Sequence, residues 1–158
     1  MVPAKPARAT AAIYSAEQRA RRDATIWTPV QGVLAPLQFL AFLVSLMLVC
    51  RYLATGAGYG AATVSILVKT GLLYAIMLTG AIWEKRVFGQ YLFAPAFFWE
   101  DVFSFAVIAL HTAYVVALLQ AAGPGTEMGL ALAAYAAYLV NAGQFLRKLR
   151  LARREAAP

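Results

Sequence analysis

The chain has 158 residues; 62% are hydrophobic and only 13% are charged, and the mean hydropathy is +0.67. Soluble domains are nearer half apolar and a quarter charged, so this composition excludes a disordered chain and a water-soluble globule. A single cysteine, Cys50, excludes an internal disulfide and a cysteine-based zinc site. A single histidine, His111, excludes a multi-histidine metal centre, and the net charge of +7 leaves nucleic acid to be weighed against membrane.

Before the first apolar run, Ser15 with Gln18 three residues on predicts a capping box and a short helix. Four runs then approach or exceed the roughly 20 residues needed to cross a bilayer: about 30–50, 61–83, 102–122 and 128–146. None alternates polar with apolar residues, which excludes a barrel and leaves helices, whose backbone is satisfied internally. Thr28 with Pro29 predicts a cap for the first span, Pro95 opens the third, and Thr126 caps the fourth. Gly56, Gly58 and Gly60 mark the first turn, and Gly123 to Gly125 the last. The first 25 residues lack an apolar core, so the first span itself is expected to direct insertion.

Basic residues set the orientation. Lys5, Arg8, Arg19, Arg21 and Arg22 precede the first span, Lys85 and Arg86 lie in the middle loop, and Arg147, Lys148, Arg150, Arg153 and Arg154 close the chain. Only Arg51 lies near the other two loops. The expected fold is therefore an all-α integral membrane protein with four transmembrane helices and both termini cytoplasmic. It divides into an N-terminal segment (1–28), a transmembrane domain (29–146) and a basic tail (147–158). The basic ends read as topology and attraction to anionic lipid rather than nucleic-acid binding.

Polar residues inside the spans are costly and so point at what they face. Lys69 either turns into the bundle or snorkels to the interface. On the third span Glu100, Ser104 and His111 fall within about 40° of one another, with Tyr114 at the edge of that stripe. Such a stripe reads as a proton path, a ligand wall or a helix–helix hydrogen-bond seam. Gln31, Gln38 and Ser45 recur every seven residues on the first span. Gly129, Ala133 and Ala137 lead to Asn141 as a small-residue packing seam on the fourth.

The middle loop reads WEKRVFGQYLFAPAFFWEDVF. Three acids, Glu84, Glu100 and Asp101, stand among Trp83, Phe88, Tyr91, Phe93, Phe97, Phe98, Trp99 and Phe103. An aromatic belt with ion pairs to Lys85 and Arg86 is one reading. The other is a flat apolar site for a large planar ligand that needs proton chemistry, where burial would keep a carboxyl protonated near neutrality.

The stretch TGAIWEKRVFGQYLFAPAFFWEDVFSF, with ALHTAYV after it, resembles the 3-vinyl (bacterio)chlorophyllide hydratases of bacteriochlorophyll biosynthesis. The likeness continues through RRDATIWTPVQGVLAPLQFL and AAYAAYLVNAGQFLRKLR, from Tyr14 to Arg150. It implies addition of water across the C3 vinyl group of chlorophyllide a, or a vinyl bacteriochlorophyllide, to give a 1-hydroxyethyl group. It implies no cofactor, with magnesium entering only as part of the substrate, and a multi-pass protein of the bacterial photosynthetic membrane working toward the cytoplasm. Within that chemistry, residue type and spacing suggest Glu100 as acid, Asp101 or Glu84 as second carboxylate, and His111 as base or axial magnesium ligand. Lys85 or Arg86 would pair with the substrate propionate, and Trp83, Phe97, Phe98 and Trp99 would line the ring, with Tyr91 and Ser104 beside them. A ring this wide also suggests a second copy of the chain to enclose it. The rivals are a pigment carrier or assembly subunit, and a proton-coupled transporter using Lys69, Glu100 and His111. The latter is disfavoured because the outer half of the bundle reads as too apolar.

Overall fold

A computed structural model of the chain describes residues 12–156, all of whose regular elements are helices. Lys5 and Arg8 lie outside the described residues. The short helix α1 (Ala16–Ala24) starts as expected: the Ser15 hydroxyl accepts from the Gln18 amide at 3.1 Å, and the Gln18 side chain accepts from the Ser15 amide at 2.8 Å. Four long helices follow: α2 (Trp27–Thr55), α3 (Tyr59–Phe88), α4 (Phe98–Leu119) and α5 (Pro124–Ala156). At 1.5 Å per residue they run from about 33 Å for α4 to about 50 Å for α5. Each is long and apolar enough to cross a hydrocarbon core of about 30 Å.

The ends of these helices differ from the expected caps. α2 begins at Trp27, and Thr28 does not cap it; the Thr28 hydroxyl donates to the Arg22 carbonyl at 2.6 Å and accepts from the Trp83 indole at 2.9 Å. Pro95 does not open α4 but lies in a turn closed by the Phe97 amide on the Ala94 carbonyl, and the helix starts at Phe98. Thr126 lies inside α5, which starts at Pro124. At Thr28 a tertiary contact overrides a local signal that a propensity reading weighs alone. Gly89 closes α3 at φ 86°, where a side chain would be strained. The basic residues 147–156 continue α5 without a break.

α2 packs chiefly on α3, and α4 on α5. The core between the pairs is built on Phe42, Val49, Ile66, Val107, Tyr114 and Tyr135. On α5 the buried face runs through Ala131, Ala134, Tyr135, Tyr138 and Asn141, whereas Gly129 and Ala133 are exposed. The small-residue seam expected from Gly129 and Ala133 is therefore shifted round the helix by the larger tyrosines, which need the interior volume. At one end of the bundle Tyr14 stacks on Phe88 at 5.8 Å and meets Phe97, while Glu155 accepts from the Ile13 amide. The segment before α2, the α3–α4 loop and the end of α5 thus lie at one end of the molecule.

Candidate active site

The heptad on α2 spaces three polar contacts down the bundle. Gln31 donates to Thr79 at 2.7 Å, Gln38 accepts from Lys69, and Ser45 bonds Ser65 at 2.7 Å and Tyr135 at 2.5 Å. Lys69 turns inward, with no exposed surface and its Nζ 3.4 Å from the centre of the Tyr138 ring. Near it His111 Nδ1 meets the Val107 carbonyl at 2.8 Å. The buried Nε2 of His111, Nε2 of Gln38 and hydroxyl of Tyr114 have no protein partner. Buried polar atoms of this kind are commonly satisfied by internal water. Lys69→Met alone leaves the Gln38 oxygen unpaired and should lower stability by about 1–3 kcal/mol. Adding Gln38→Leu should recover most of that loss. Unfolding titrations in detergent measure both, and a double variant no more stable than the single would break this account.

The half of the bundle away from the α3–α4 loop is not apolar. Glu127 is 2% exposed and accepts from the Tyr59 hydroxyl, close to Tyr114. The sequence reading missed Glu127 because it lies at a turn between two long apolar runs.

At the end where the α3–α4 loop lies, three acids converge. Glu84 leaves α3 beyond its apolar stretch, and Glu100 and Asp101 occupy the first turn of α4. All three are buried, at 3–5% exposure. The Glu84 and Asp101 carboxyls lie close enough to act on each other, and the Glu100 charge acts on both. Burial, and then the Asp101 charge, push the Glu84 carboxyl upward; burial also raises Asp101. Each grips the loop above it: Asp101 accepts from the Phe93 amide at 2.7 Å, and Glu84 from the Ala94 amide at 3.3 Å. Phe93 itself adopts φ 60°, a strained value for a bulky residue that these contacts hold in place. Glu100 meets Lys148 at 3.7 Å.

The other candidate residues divide by position. Ser104 and Asn141 hydrogen-bond each other and both donate to the Glu100 carbonyl, which makes them an α4–α5 seam. His111 shares their face but lies seven residues deeper than Ser104 and eleven from Glu100, about 16 Å along the helix, so the carboxyls and the imidazole form two separate groups. The loop aromatics split in two. Trp83, Phe88 and Phe97 pack inward against Tyr14. Phe93, Phe98, Trp99 and Phe105 are 39–65% exposed and form a continuous outer face, with Phe93 stacked on Phe105 at 5.5 Å and Phe98 against Trp99 at 5.4 Å. Tyr91 is exposed and lies under Lys85, which also donates to the Gly89 carbonyl at 2.8 Å. Arg86 is exposed, with no ion-pair partner among the described residues. A surface hollow of about 370 Å³ lies along α5, lined by Leu146, Arg147 and Arg150; none of the three carboxyls lines it. The acids are covered by the loop rather than open to a cavity.

A helical bundle of membrane-spanning length, with carboxyls buried beneath an aromatic face, offers groups suited to acid–base chemistry. Comparison with known proteins makes the class specific. Residues 14–151 match the family model for 2-vinyl bacteriochlorophyllide hydratase. The protein of that name from Cereibacter sphaeroides is 71% identical over 153 residues, covering 97% of this chain and 96% of its own. That from Rhodobacter capsulatus is 71% identical over 146 residues, covering 92% and 85%. No solved structure matches the chain. The chain belongs to the 2-vinyl bacteriochlorophyllide hydratase family, whose members are hydro-lyases.

Proposed function

We propose that the chain hydrates the vinyl group of chlorophyllide a or a vinyl bacteriochlorophyllide, at the position numbered 2 in the relatives' names and C3 in current tetrapyrrole numbering. The observation that carries the mechanism is the Glu84–Asp101 carboxyl pair, buried together under the Phe93–Ala94 amides that it grips. The macrocycle lies against the outer face of Phe93, Phe98, Trp99 and Phe105, with Tyr91 at its edge. Its propionate reaches Arg86, the less committed of the two loop cations, and Lys85 stands next to it. Trp83 and Phe97 support this face from behind, and the Ser104–Asn141 seam fixes α4 against α5.

An unactivated vinyl must be protonated first. The pair gives its shared proton to the terminal carbon, which becomes a methyl group. The positive charge left on the inner carbon is spread over the macrocycle and stabilised by the adjacent carboxylates and aromatic faces. Water attacks the inner carbon and loses a proton to Glu100, from which a proton returns to the pair. The sum is substrate plus water, with no change of redox state, so the reaction needs no resident cofactor. In this reading Glu100 passes from acid to base because a cation faces it, and His111 stays in the bundle interior, with neither the base nor the axial-ligand role.

The basic residues in α1, in the middle loop and on α5 support a site on the cytoplasmic side of the photosynthetic membrane, with both termini there. Membranes carrying the chain should shift the long-wavelength band of chlorophyllide a to the blue as the vinyl leaves conjugation; binding without that shift would instead identify a carrier. The rate should fall at alkaline pH, where the pair loses its proton. Asp101→Asn removes the charge that helps hold Glu84 protonated, so the alkaline limb should move to lower pH. A limb that stays in place would remove Glu84 from the proton-donor role.

A further inference from the structure

Three carboxyl groups meet at this end of the bundle, yet among the described residues the cation that pairs with them is one side chain, Lys148 of α5, 3.7 Å from Glu100. Its ammonium also donates to the Ala96 carbonyl and lies 5.5 Å from the centre of the Phe97 ring. Three contacts from two elements fix it, and its side chain is only 27% exposed. The charges that act on Glu84 and Asp101 come from the three carboxyls themselves, Glu84 from α3 and Glu100 and Asp101 from α4. From α1 and the segment before it, Tyr14 reaches Phe88 and Phe97 with Arg22 over its ring, and α2 contributes the Thr28 hydroxyl to Trp83. The arrangement is asymmetric: Glu100 faces the cation, while Glu84 and Asp101 face each other and two backbone amides.

Resting on the hydration reading, the geometry points to Lys148 as a positioning residue that decides which carboxyl keeps the proton. It holds Glu100 as the carboxylate that receives a proton from the attacking water, and so leaves the shared proton on Glu84 and Asp101. No bond to Lys148 forms or breaks. It also ties the turn at Ala96 to α5, so the loop that covers the acids and the charge that divides their roles are set by one side chain.

Two variants of the full chain in membranes test this. Lys148→Gln keeps a donor for the Ala96 carbonyl and removes the charge; Lys148→Arg keeps the charge. Without the cation nothing sets Glu100 apart from the other two carboxyls, so the acidic limb of the kcat profile should shift, with kcat at neutrality down about tenfold and KM within about twofold. Lys148→Arg should restore the limb. An unmoved limb in Lys148→Gln, or an equal shift in Lys148→Arg, would overturn the inference. So would a bundle that fails to accumulate with Gln at this position, since the cation would then serve folding. If removing the acid pair abolishes turnover while Lys148→Gln leaves the profile intact, this inference alone fails; if turnover survives loss of the pair, the acid–base reading fails first.

Discussion

The double variant Glu84→Gln, Asp101→Asn should lose kcat by about 10²- to 10⁴-fold, the usual contribution of a positioned proton donor. Both replacements keep the shape of the side chains, and their amides still offer an oxygen to the Phe93 and Ala94 amides now gripped by the carboxyls. The loop should therefore stay closed and the pigment should still bind. What is lost is the shared proton. Single-turnover assays at matched pigment occupancy read this directly, and a double variant within about threefold of the parent would remove the pair from the chemistry.

The second large effect concerns binding. Phe98→Ala with Trp99→Ala removes two neighbouring rings that are 44% and 65% exposed on the outer face. Burial of apolar area at about 25 cal/mol per Å² makes each ring contact worth about 1–3 kcal/mol, so KM should rise tenfold or more while kcat changes little. The inward-facing Phe97 gives the contrast. It packs on Tyr14, Trp83 and Phe145, and Phe97→Ala should cost fold stability before it costs affinity. If Phe98 and Trp99 can be removed with no rise in KM, the macrocycle lies elsewhere.

Much of the fold was legible in the sequence because lipid imposes a simple rule: four long apolar runs that do not alternate with polar residues can only be helices. The capping box at Ser15 was legible for a similar reason, since both its partners lie within one turn. The caps at Thr28, Pro95 and Thr126 were not. Thr28 is occupied by Trp83, 55 residues away, and no local pattern announces such a contact. In the site, the three acids were legible as a group because burial of that many carboxyls near apolar runs is costly without a use. Their division was not. Helical phase puts Glu100 and His111 on one stripe but says nothing of depth, and it places Asp101 about 100° away, although Asp101 is the one that reaches Glu84. The aromatic residues read as a single wall, whereas the structure spends Trp83 and Phe97 on the core and leaves Phe98 and Trp99 outside. Lys148 was counted only among the orienting charges, because its partner, Glu100, lies 48 residues earlier in the chain.

The most direct measurement is product mass and label position when the purified chain is given chlorophyllide a in heavy water. A hydrating acid pair predicts a gain of one water, with a single deuterium on the new methyl carbon, and no gain in the Glu84→Gln, Asp101→Asn chain. Pigment recovered bound but unchanged in mass from the parent chain would contradict the assignment.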